Sequence, residues 1–141
     1  MKKKTKKLSV LMLTLTMLLS FQIFAFAATT WSDEGTFSLN SDTDWKRCTT
    51  TGIYLGNEKT TTSKNVSVYT VSKTMSSYPS FRIVNSNNEI RSSSITTAAP
   101  GRSKTNSSNT GEKGYNYYAS VKSAWNQATD KQSIRLQFKS Y

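Results

Sequence analysis

The side chains of this chain best suited to chemistry are tyrosines and a tryptophan set among scattered cations. Tyr115, Tyr117, Tyr118 and Trp125 fall in one short stretch, with Lys122 between them. Tyr and Trp give large, rigid contact area with a polar tip, which suits contact with glycans, lipids or proteins. Alternation along 115–123 places Tyr115 and Tyr117 on the apolar side, facing a core. Tyr118 falls on the polar side with Lys122. The candidate binding residues are therefore Tyr118, Trp125 and Lys122, joined by Arg102 and Lys104 from a polar stretch just upstream. Such a set binds; it does not make or break bonds.

Catalytic machinery is harder to assemble. The chain has no histidine, which removes the usual general base, metal ligand and pH switch. Serine adjoins lysine at Ser63-Lys64, Ser72-Lys73 and Ser103-Lys104, but no G-x-S-x-G or S-x-x-K frame surrounds them. Asp42-Thr43-Asp44, with Asp33 and Glu34 nearby, is the one acidic grouping. Calcium needs oxygen ligands from spaced carboxylates in a loop, and no Gly-and-Glu frame follows here, so the group reads as a solvated turn. No enzyme, metal or cofactor is expected; a hydrolase acting through two carboxylates is the remote alternative. Cys48 is the single cysteine. It reads as a small buried apolar residue, with pairing between molecules as the alternative.

The elements that must position these residues begin after an export signal. Five lysines precede an uncharged apolar run from Leu8 to Phe26. Ala25 and Ala27 form the small-x-small pattern of a cleavage site, with Ala28 behind it. Residues 1–27 are the expected signal peptide and 28–141 a single secreted β domain. The alternative is an uncleaved N-terminal helix holding the domain to the outer side of a membrane.

Removing the signal changes the charge. The whole chain carries +11, whereas 28–141 carries 14 basic and 8 acidic residues, a net of +6. The cations are scattered, Lys46-Arg47 being the exception. No basic cluster of the nucleic-acid type is present, so no nucleic acid is expected. The partners expected instead are an anionic cell-wall polymer, a membrane surface or a protein.

Residues 28–141 hold 20 Ser and 17 Thr but only three Leu, at 39, 55 and 136. Leu and Ala drive amphipathic helices; Thr, Val, Ile and Tyr fit strands. Strands are expected at 36–40, at 45–51 with 52–55 as its extension, and at 64–73, a central strand covered on both sides. A hairpin is expected from 80–85 and 89–95, joined by Ser86-Asn87-Asn88. Residues 102–114 contain no apolar side chain and are expected as a loop. Strands at 115–123 and 133–141 follow; in the last, Ile134, Leu136 and Phe138 oppose Arg135, Gln137 and Lys139. About seven short antiparallel strands imply an all-β domain, a small β-sandwich, with a small barrel as the alternative.

Gly114-Tyr115-Asn116-Tyr117-Tyr118-Ala119-Ser120 and the final strand resemble the C-terminal part of secreted proteins related to the lactococcin-972-type bacteriocins. The resemblance implies a small exported Gram-positive β-sandwich that acts at the cell envelope. This chain is longer than those toxins, lacks their histidines and is not Gly-rich, so no functional residue carries over. The expected function is a non-enzymatic module that binds an envelope component or a protein partner, the alternative being a bacteriocin-like antibacterial protein.

Overall fold

Ile134, Leu136 and Phe138 alternate with polar neighbours and are fully buried, so one face of their strand meets a core and the other does not. The computed structural model describes residues 30–39, 44–50, 52–123 and 132–141. Its regular elements are all strands. One sheet runs in the order β4 (Ile53–Tyr54), β3 (Thr49–Thr50), β1 (Gly35–Leu39), β11 (Gln132–Lys139), β6 (Val66–Lys73), β9 (Arg102–Asn106). The other runs β2 (Lys46–Arg47), β10 (Asn116–Lys122), β7 (Ser80–Val84), β8 (Ile95–Thr96). In that second sheet β5 (Gly56–Glu58) pairs with β10 beside β2. The strand pairs are antiparallel, and no barrel closes among them. The all-β class is as expected. The strand number is not: among the described residues eleven segments replace about seven, and four are only two residues long.

The two sheets share one core. Phe81, Ile83, Ala119 and Val121 enter it from the five-stranded sheet, and Val66, Val68, Ile134, Leu136 and Phe138 from the six-stranded sheet. The Phe81 and Phe138 rings meet across it, centroids 5.8 Å apart. Each large apolar side chain buried this way stabilises the fold by about 1.5–3 kcal/mol before entropy is counted.

The expected strand 45–51 is instead split between the two sheets. The chain leaves the five-stranded sheet after Arg47, dips at Cys48, and continues as β3 in the other. A tight hairpin at Gly52, with φ +85°, turns it into β4, and Leu55 carries it back to β5. Both crossing residues are stitched to β10. The Cys48 N–H donates to the Ala119 carbonyl (2.9 Å), and the Ala119 N–H to the Leu55 carbonyl (3.1 Å). A methyl group on Gly35 would sit 2.7 Å from Leu55 Cδ2, so this corner requires the missing side chain. Cys48 is completely buried, and burial pushes its thiol pKa far up. It fills the core as a small apolar residue and is closed to pairing between molecules.

Residues 102–106 form a strand where a loop was expected. β9 pairs with β6 over five residues, Val66 opposite Asn106 through Thr70 opposite Arg102. As an edge strand it needs only a backbone ladder on one side, and its exposed charges discourage further pairing. The rest of that stretch is pinned: the buried Asn109 amide donates to the carbonyls of Ser140 (2.5 Å) and Asn65 (3.3 Å). The second strand of the expected hairpin is reduced to one bridge, Val84 with Ile90, before β8. Its turn is as expected, with Asn88 at φ +67°. β6 is covered on both faces. Val66, Val68 and Thr70 are buried inward, while outward Trp31 packs on Tyr69 with centroids 5.9 Å apart.

Candidate functional site

Strand register builds a row of polar side chains on the outer face of the five-stranded sheet. Ser120 lies opposite Arg47 on one side and Arg82 on the other. Because side chains alternate, Val121, Phe81, Ala119 and Ile83 point into the core while Arg47, Ser120 and Arg82 point out. The next row holds Tyr118 and Val84, with Gly56 beyond Tyr118. The Tyr118 ring packs over Gly56.

Aromatic rings wall this face. The Arg82 guanidinium lies 4.0 Å above the Trp45 ring. The Arg47 guanidinium sits between two rings, 4.7 Å from Tyr54 and 5.0 Å from Tyr118. Those rings meet edge to face at 6.2 Å. Arg47 also locks the 85–88 turn against the sheet. Its Nε donates to Asn88 Oδ1 (2.6 Å), and its Nη2 to the carbonyls of Ser86 (2.6 Å) and Asn85 (2.9 Å).

Arg82 is differently placed. Its Nε is buried without a hydrogen-bond partner among the described residues, and burial lowers its pKa. Guanidinium still keeps its charge. A groove of about 540 Å³ opens here, lined by Trp45, Lys46, Arg47, Tyr54, Arg82 and Asn88, with Val84 and Ser120 at its floor. Two outward guanidiniums, those of Arg47 and Arg82, line it, and among the described residues no carboxylate does. Such a lining can take an anion: the guanidinium nitrogens that Arg47 does not spend on the turn, with the terminal ones of Arg82, can donate to carboxylate or phosphate oxygens. Stacking on aromatic rings holds each fork flat, at about 0.5–1 kcal/mol per exposed contact.

The sequence-derived candidates divide. Tyr118 is part of this wall. Lys122 lies on the same sheet face, one row further along opposite Ser80, outside the groove. Arg102 and Lys104 are exposed on β9, at the edge of the other sheet, so they do not join Tyr118. Trp125 lies outside the described residues, as do Ala25, Ala27 and Ala28 of the signal. Tyr117 faces the core as expected, its hydroxyl bonded to the Glu112 N–H (2.6 Å). Tyr115 does not; it is 61 % exposed, one residue before β10 starts at Asn116. Arg47, Arg82 and Tyr54 were missed. The signals available were Lys46-Arg47 as the only basic doublet of 28–141 and Arg82 as a charge between Phe81 and Ile83; Tyr54 had none.

Of the acidic grouping, Asp42 and Thr43 lie outside the described residues, and Glu34 bonds to Arg135 at 2.9 Å. Among the described residues no group of three metal-ligating side chains forms, and no helix is long and apolar enough to cross a membrane. Comparison with known proteins finds no match: no family model, curated protein or solved structure is similar to this chain.

Proposed function

We propose that this chain is an exported, non-enzymatic binding module, a β-sandwich in the finer description of its two sheets, that holds an anionic polymer of the cell envelope on the outer face of the five-stranded sheet. The observation that carries this reading is the groove itself: Arg47 and Arg82 line it between aromatic walls, and among the described residues no carboxylate does. The export signal and the net charge of +6 in 28–141 put a cationic face where anionic wall polymers are.

The test is co-sedimentation of the exported chain with purified cell walls at low and high ionic strength. Binding that weakens with salt and drops about tenfold in Arg82→Ala supports the reading, since exposed charge pairs are screened within roughly 10 Å at 0.1 M salt. Absence of binding at both salt levels would retire it.

A further inference from the structure

The structure assigns a second subsite beside the arginine groove, which we infer takes an uncharged hydroxylated unit, a sugar or polyol, of the same polymer. This inference rests on the anion-groove reading above. Behind the 85–88 turn lies a separate pocket of about 300 Å³, room for one ring-sized unit. The turn is the shared wall. Asn88 lines the groove, while Asn85, Ser86 and Asn87 line the pocket. Arg47 fixes that wall from the groove side through the Asn85 and Ser86 carbonyls.

The pocket is built and held. Asn85 Oδ1 accepts the N–H groups of Asn87 (3.0 Å) and Glu89 (2.9 Å), closing the turn on itself. The Tyr117 hydroxyl accepts the Glu112 N–H and donates to the Glu112 carbonyl. A methyl group on Gly111 would lie 2.4 Å from Tyr117 Cζ, so the ring is packed directly on backbone at the pocket floor. These groups are spent internally and fix the shape.

Its charge differs from the groove. Arg91 is paired with Glu89, and Glu112 lines the same pocket, so positive charge is matched within it. What the rim offers instead is the exposed ring of Tyr115 and the exposed amides of Asn87 and Asn116. Amides donate and accept together, as sugar hydroxyls require, and an aromatic face takes the apolar side of a sugar ring. A cationic groove and a neutral amide pocket across one turn fit a polymer whose anionic groups neighbour hydroxylated units.

The probes are poly(glycerol phosphate) and the same polymer carrying glucosyl substituents, each titrated into the exported chain at fixed ionic strength. The wild type is expected to bind the substituted polymer about tenfold tighter, a difference near 1.4 kcal/mol. Tyr115→Ala should erase that preference and keep the affinity for the bare polymer. Asn87→Ala serves as the second variant, since only the backbone N–H of Asn87 closes the turn. Equal binding of both polymers by the wild type, or equal weakening of both by Tyr115→Ala, overturns the subsite while leaving the groove standing. Failure to bind even the bare polymer overturns the groove and the subsite together.

Discussion

The outer faces of the two sheets carry the same ingredients in different states. On the six-stranded sheet, Lys139 Nζ lies 4.9 Å from the Trp31 ring and 5.7 Å from the Tyr141 ring, much as Arg82 lies over Trp45. There the chain supplies the partners. Arg135 bonds Glu34, Ser67 Oγ meets Thr105 Oγ1 at 2.6 Å, and the Gln137 amide donates to the Ser32 carbonyl (3.2 Å). The lead-in residues Trp31 and Ser32 lie over that face and satisfy it. On the five-stranded sheet Arg47 is spent on the 85–88 turn, but among the described residues no carboxylate lines the groove, and a buried Arg82 nitrogen is left over. The number of cations and rings does not separate a binding face from a closed one; internal compensation does.

That contrast is breakable, most sharply at Arg47. Arg47→Ala removes a groove cation and the lock on the 85–88 turn together. Wall binding should fall about 100-fold, and the melting curve should record a loss of about 1–2 kcal/mol. Arg82→Ala should cost about tenfold in binding with little stability change, whereas Arg82→Lys should recover only part of it, because an ammonium keeps the charge but not the fork. Lys139→Ala, on the satisfied face, should leave wall binding unchanged and cost under about 1 kcal/mol in a denaturant titration.

The core behind both faces gives the smallest effect. The folded state holds the Cys48 thiol proton more tightly than the unfolded chain does. Stability from this group is therefore full below the ordinary thiol value near 9.0 and declines as pH rises above it. Cys48→Ala should remove that alkaline decline. In the native protein a maleimide should not react at neutral pH; it should label the thiol only as the fold opens.

Much of the fold was legible where burial is one-sided. Tyr117, Ala119 and Val121, and Ile134, Leu136 and Phe138, write the period of a strand into the sequence because one face must be apolar. β9 left no such trace: an edge strand held by backbone pairing needs no apolar residue. The switch of sheets at Cys48 was hidden because alternation runs through it unbroken. For the site, Tyr118 was visible from its place on the polar side. Trp45 with Arg47, and Arg82 between Phe81 and Ile83, alternate with their neighbours on separate strands, but alternation alone does not say which side faces out. That β2 and β7 flank β10 is a matter of long-range register, which no local pattern carries.

The comparison of faces is tested most directly by calorimetric titration of an anionic envelope polymer into the exported chain, Arg82→Ala and Arg135→Ala, each across a range of salt. The expected result is a wild-type affinity that falls with salt, an Arg82→Ala variant with lower affinity and a flatter salt dependence, and an Arg135→Ala variant that matches the wild type. Equal losses from Arg82→Ala and Arg135→Ala would contradict the account, because binding would then follow net charge and not the groove.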